Sequence, residues 1–269
     1  MRIGTMIRFA PGSEPGRLMD RVGDYARRIE AAGFSNIWVG DSLGRGRPTL
    51  DPLMELATLA AVTRTVQLGI GVLQVPLRHP IELAHRVQSL QALSGNRLVL
   101  GVGSGSTKDD FDLLGYDYDA RFKTLRTSLD TMRRTWTGDS ALSVWPGCEG
   151  GPPILIGAWR SPRWITYAAK ETQGWTPSGR YSNWADLEYG MKIFRDAGGK
   201  DAVLANTTVD FANRPGSAEM AGVAELSMIG SADEVRQKLR RLRDIGFDEV
   251  LLVSHHDVLE DIERARDLL

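Results

Sequence analysis

Cysteine occurs once in the 269 residues, at Cys148, so no intrachain disulfide can hold this chain together. Long apolar runs are missing too. Nothing approaches the roughly 18 consecutive apolar residues of a membrane-spanning helix. The opening stretch, MRIGTMIRFAPGSEPG, breaks at Arg8 and Pro11 and lacks the apolar core of a secretory signal. Neither sign of charge dominates: 33 Lys and Arg face 34 Asp and Glu, a net charge of -1. No electrostatic footprint for nucleic acid or an anionic membrane is therefore visible. These absences lead to the expectation of a cytoplasmic protein, and they leave room for a homo-oligomer. With 42% hydrophobic residues the chain can bury a substantial core, and about 250 residues suffice for one (β/α)₈ barrel.

What is present is an alternation. Short apolar, β-branched runs predict strands at Ile3 to Phe9, Asn36 to Val39, Val66 to Leu73, Leu98 to Gly103, Pro153 to Gly157, Gly174 to Thr176, Val203 to Phe211 and Asp248 to Val253. Between them, helical spacing predicts helices at Arg17 to Ala32, after Asp51-Pro52, at Pro80 to Leu93, Ala120 to Trp136, Pro162 to about Lys170, Trp184 to Arg195, Ser231 to Ile245 and Asp257 to Leu269. Asp51 reads as an N-cap before a proline, and Ser231 with Glu234 as a capping box. EAAGFSNIWV and RDIGFDEVLLV repeat one helix-end, Gly-Phe, strand theme. Eight alternations predict a single α/β domain over residues 1–269, closed as a (β/α)₈ TIM barrel. An open doubly wound sheet would place G-x-G-x-x-G at the first strand, and Gly4 and Gly12 are not so arranged.

In such a barrel, chemistry gathers at the carboxyl ends of the strands. Those rims are Phe9 to Pro11, Asp41-Ser42, Gly71 to Pro76, Gly103 to Ser106, Gly157 to Ser161, Thr176 to Arg180, Asp210 to Asn213 and Ser254 to His256. The stretch RLVLGVGSGS places Gly101 inside a strand and Gly103 and Gly105 at its end. Missing side chains there admit the close approach of a flat, polar-edged ring, or serve a tight turn with φ > 0. Asp41 reads as a rim carboxylate, an N-cap or a partner for Arg45. His79 reads as a helix-entry residue. His255 and His256 point to opposite sides without a third ligand, so no metal site is expected. Trp38, Trp136 and Trp175 read as core, and Trp145 and Trp159 as loop residues on the substrate side. No catalytic acid or base stands out.

VQLGIGVLQVPLRHPIELA, LSGNRLVLGVGSG, PPILIGAWRSPR and GWTPSGR together resemble the bacterial luciferase-like family of flavin or deazaflavin oxidoreductases, and the DARFKTLRTSLDTMRRTWTG and GSADEVRQKLRRLRDIGFDEVLLV stretches extend the likeness. The resemblance implies FMN, or alternatively the deazaflavin coenzyme F420, in the barrel mouth. It implies a non-proline cis peptide at Gly71-Val72 behind the ring and Asp41 near the ring's polar side. Ser104, Gly105 and Ser106 then match the pyrimidine edge or ribityl chain. Gly157, Ala158 and Trp159 match a phosphate-receiving backbone at a helix N-terminus, with Arg160, Ser161, Ser178 and Arg180 as charge and hydroxyl partners. Ser42 and Ser106 stand where deazaflavin dehydrogenases of the family carry a histidine and an acid. The expected activity is thus monooxygenation of a small organic substrate by reduced FMN and oxygen, with a flavin reductase or reduced nicotinamide as electron source. Hydride transfer with F420, a flavin-binding protein without turnover, and a barrel lyase or isomerase are the alternatives.

Overall fold

A computed structural model describes residues 1–8, 15–43, 48–256 and 258–269. In chain order it contains β1 (Arg2–Ile7), α1 (Pro15–Ala31), β2 (Asn36–Val39), α2 (Pro52–Val62), β3 (Gln67–Gln74), α3 (Pro80–Leu93), β4 (Leu98–Gly103), α4 (Lys108–Leu114), α5 (Arg121–Trp136), β5 (Ile154–Ile156), α6 (Pro162–Glu171), β6 (Gly174–Trp175), α7 (Trp184–Asp196), β7 (Asp201–Asp210), α8 (Ser217–Ala221), β8 (Met228–Ile229), α9 (Ala232–Ile245), β9 (Glu249–Val253) and α10 (Leu259–Arg266). Strands β1 to β7 pair in sequence, all parallel, and β9 joins β7 to β1, so eight strands close a barrel. β8 is a short ninth strand on the end of β7.

Local sequence explains the elements. Every residue of β4 is buried, as expected where helices cover one side of a parallel barrel and side chains fill the other. Asp51 caps α2 by accepting from the Leu53 and Met54 amides, and Ser231 and Glu234 form the capping box of α9. A second capping box, Asn183 with Asp186, starts α7. Two apolar layers result. One lies between strands and helices and contains Trp136 and Trp175. The other fills the barrel axis with Met6, Trp38, Val99, Leu155, Val203, Ala205, Leu251 and Val253. Gly69 makes room for that plug, since a Cβ there would stand 2.3 Å from Trp38 Cδ2.

The amino ends of the strands are fastened by two charged residues. The Arg97 guanidinium donates to the Ser94, Val66, Ala60 and Thr63 carbonyls and to the Thr63 hydroxyl. Glu30 accepts from the Arg64, Thr65 and Val66 amides and from the Thr65 hydroxyl. Desolvation pushes the Glu30 carboxyl up, but these donors outweigh it and hold its pKa at about 2.

Three expectations need revision. The segment between β4 and the long helix α5 folds into α4, which its short, charged sequence KDDFDLL conceals. The stretch between the strand expected to end at Phe211 and the helix expected from Ser231 carries α8, the 3₁₀ turn Ala224–Leu226 and β8, each too short to show a period. Trp145 is not on the substrate side. Its loop, 137–151, returns from α5 to β5 at the amino ends, where its amide donates to Gln88 and Asn96 donates to the Gly147 carbonyl. Phe9 to Pro11, Gly12, Arg45 and Asp257 lie outside the described residues. Among the described residues, no helix is long and apolar enough to cross a membrane.

Candidate functional site

The carboxyl ends of the strands form a mouth, and β3 supplies its floor. Register slips between Ile70 and Leu73, and the Gly71-Val72 peptide is cis, as the resemblance implies. Gly71 rests on the axial plug, with its Cβ position 3.4 Å from Trp38 and 3.7 Å from both Ala205 and Met6. Val72 is half-buried. Its methyl carbons stand 3.3, 2.8 and 2.9 Å from where Cβ atoms of Gly101, Gly103 and Gly157 would be. This revises the reading of those glycines. At Gly103 and Gly157 the missing side chains make room for Val72, while Gly101 makes room first for the Ile70 carbonyl, 2.3 Å from where its Cβ would be; a flat molecule would meet Val72 rather than bare backbone. Gly105 answers to the turn instead: its φ is +80°, and a Cβ would lie 2.8 Å from Phe111 and 3.2 Å from Gln74 Oε1.

On the β2–β3 side Asp41 is fully engaged. Its carboxylate takes a two-pronged bond from Arg78, at 2.7 and 3.0 Å, and accepts from the Gln74 amide at 2.8 Å. Among the described residues its partner is Arg78, thirty-seven positions away. Burial disfavours the Arg78 charge, but Asp41 and Asp51 outweigh that and raise its pKa. This pair fixes the Gln74 backbone, and the Gln74 amide group also donates to the Asp41 carbonyl. Gln74 Oε1 remains buried without a partner.

Across the mouth, the β4, β5 and β6 rims present the remaining expected residues. Ser104 and Gly105 are half-buried, while Ser106 is exposed and its carbonyl accepts from the Tyr118 hydroxyl. The Gly157 amide donates to Val102, and the buried Ala158 carbonyl accepts from the Trp175 indole at 2.7 Å. Trp159 stacks on Tyr181 with centroids 4.5 Å apart. Arg160 turns outward to Asp186 at 3.0 Å. Ser161 begins α6 without a side-chain cap bond, ahead of Pro162; the Trp164 and Ile165 amides donate to its carbonyl, which leaves the Arg163 amide for an anion. Ser178 accepts from the Arg180 amide, and Asn206 Nδ2 reaches the Ser178 hydroxyl at 3.5 Å. The Arg180 guanidinium lies 5.8 Å from the Tyr181 ring centroid.

Sequence reading included Gln74 and Thr176 in rim ranges without singling them out, and it missed Ser182 and Thr207. Thr176, Ser182 and Thr207 hydroxyls, like Gln74 Oε1, are buried with no hydrogen-bond partner. Buried polar atoms are almost always paired. Gln74 ends β3 and Thr176 follows β6, while Ser182 lies in the turn before α7 and Thr207 within β7; a polar ligand could satisfy such atoms. Asn206 sits at φ +60° where the β7–β9 register slips, and that bulge sets Thr207 against Gly179. At the β7 and β9 rims, Asp210 is held by Arg214, Ser217 and the Ala212 amide. His255 meets Thr208, and His256 meets Ser217. No metal-ligating cluster of three or more side chains occurs among the described residues.

The sequence model described as luciferase-like monooxygenase matches residues 1–202. A 4-hydroxyprotoasukamycin monooxygenase of Streptomyces nodosus subsp. asukaensis is 37% identical over 134 residues, 49% of this chain and 36% of that protein. The chain thus spans about a third of the length of that curated relative. Among solved structures, the monooxygenase RslO1 from Streptomyces bottropensis superposes with a TM-score of 0.82 at 20% identity, covering 100% of this chain and 97% of that one. The oxygenating constituent of the 3,6-diketocamphane monooxygenase from Pseudomonas putida, solved with FMN, gives a TM-score of 0.76 at 15% identity, covering 99% and 96%. At these identities the structures speak for the fold.

Proposed function

Because this chain belongs to the luciferase-like monooxygenase family, we propose that its mouth binds FMN and that the protein is a monooxygenase acting on a small organic substrate. Four buried polar atoms without a partner among the described residues, on Gln74, Thr176, Ser182 and Thr207 of β3, β6, the turn before α7 and β7, carry this reading. The chemistry of the donor set fits the coenzyme. Gln74 Oε1 is an acceptor for a ring N–H, and the Thr176, Ser182 and Thr207 hydroxyls can serve ring carbonyls and a ribityl chain. The uncapped α6 start and Arg180 suit a phosphate. Bound there, reduced FMN would supply the two electrons by which dioxygen gives one oxygen atom to the substrate and the other to water.

The protein's own part is to hold, orient and exclude water. Val72 supports the flat face, and the Asp41–Arg78 fork keeps Gln74 in position. The dry axial plug closes the mouth from below. Ser104, Gly105, Ser106, Gly157, Ala158, Trp159, Ser161 and Ser178 complete the lining, with Asp41 and Arg160 acting through Arg78 and Asp186. A flavin reductase or reduced nicotinamide supplies electrons. Ser42 and Ser106 offer no imidazole or carboxyl for alcohol oxidation, which favours FMN over F420.

The test is reconstitution with each coenzyme, followed by gel filtration and absorption spectroscopy. Retained flavin absorbance that falls at least tenfold in affinity in Gln74→Leu supports the proposal. Retention of F420 alone, or of neither coenzyme, defeats it.

A further inference from the structure

The barrel's outer surface holds a second concavity. α5 packs on α3 and α6 packs on α7; between α5 and α6, which are joined where Arg133 donates to the Tyr167 hydroxyl and the Glu171 carbonyl, lies a groove of about 530 Å³. Aromatic rings form its walls. Trp164 meets Tyr167 edge-on at 5.2 Å and Phe122 at 6.2 Å. The Arg126 guanidinium lies 5.5 Å from the Tyr167 ring centroid. Lys123, Arg126, Arg163 and Lys170 line the groove and are all exposed, against two lining carboxylates, Asp119 and Glu171; among the described residues none of the four is ion-paired, so a net positive charge remains.

That surplus is local. A groove of similar size between α7 and α9, about 520 Å³, is internally neutralised: Arg241 pairs with Glu188, Lys192 with Asp196 and Arg195 with Asp248. Cations thus gather beside half-buried aromatic rings, Trp164 and Tyr167, with Phe122 partly exposed at the edge. Flat rings recognise flat rings, while ammonium and guanidinium groups recognise phosphate. The volume also falls within the range of small-molecule pockets, about 300–1,000 Å³.

We propose that the α5–α6 groove is a second ligand site, outside the mouth, for a nucleotide: an aromatic base stacked among Phe122, Trp164 and Tyr167, with phosphate on Lys123, Arg126, Arg163 and Lys170. Its validity does not depend on the mouth binding FMN.

ADP is the probe, titrated calorimetrically into the whole chain. Wild type binds it saturably. Lys123→Glu with Lys170→Glu, both on exposed positions that leave the fold intact, weakens binding at least tenfold, and so does Trp164→Ala. Gln74→Leu, in the mouth, leaves ADP affinity unchanged. No binding at millimolar ADP overturns the proposal. So does equal affinity in the groove variants, or a loss confined to Gln74→Leu. Binding of polyglutamate in place of ADP, abolished by the same lysine reversals, assigns the groove to an acidic peptide and equally overturns it.

Discussion

Replacing Glu55 with glutamine should stabilise this protein, by an amount that grows with pH. Glu55 sits in the first turn of α2 at 7% exposure. Burial lifts its pKa from 4.5 to about 8, since a carboxylate cannot keep its charge cheaply away from water. Between those values the folded chain binds a proton that the unfolded chain has released. Stability therefore falls as pH rises through this window and levels off above it. At 1.36 kcal/mol per unit, the loss at pH 7 is about 3 kcal/mol. Glutamine is neutral throughout, so Glu55→Gln should match wild type within about 1 kcal/mol at pH 5 and exceed it by about 2–4 kcal/mol at pH 8. Urea unfolding followed by tryptophan fluorescence at pH 5, 6, 7 and 8 measures the difference. A constant offset across that range would refute the argument, because only a titrating group produces a pH-dependent gap.

Other substitutions probe other parts of the molecule. Glu30→Gln should lose stability at pH 6 and converge on wild type as pH falls towards 2, since the depressed pKa stabilises only while the carboxylate is charged; paired acid-titration curves check this. Gly69→Ala forces a carbon against the Trp38 ring and should cost about 1–3 kcal/mol in denaturant unfolding. Asp41→Ala leaves the Arg78 guanidinium, whose side chain is 15% exposed, with Asp51 at 3.6 Å as its remaining carboxylate, and should cost about 1–3 kcal/mol. It should also weaken FMN retention, because the Gln74 amide loses its acceptor; an Arg78-linked role is excluded if retention is unchanged.

The barrel was legible because its signals are local. Strand runs such as Leu98 to Gly103, and caps such as Asp51 and Ser231, depend on neighbours within a few positions. The family likeness likewise pointed to the bond at Gly71-Val72. What escaped reading is set by contacts across the chain. Nothing near Asp41 in sequence announces Arg78, and nothing near Gly103 or Gly157 announces that Val72 will fill their space. The unmatched polar atoms of Thr176, Ser182 and Thr207 exist only once burial is known. α4, α8 and β8 are too short for a hydrophobic period, and their places follow from the barrel they decorate.

The indole of Trp38, wedged with Met6 and Leu251 across the barrel axis, makes the cup a dead end. Whatever enters must leave by the way it came.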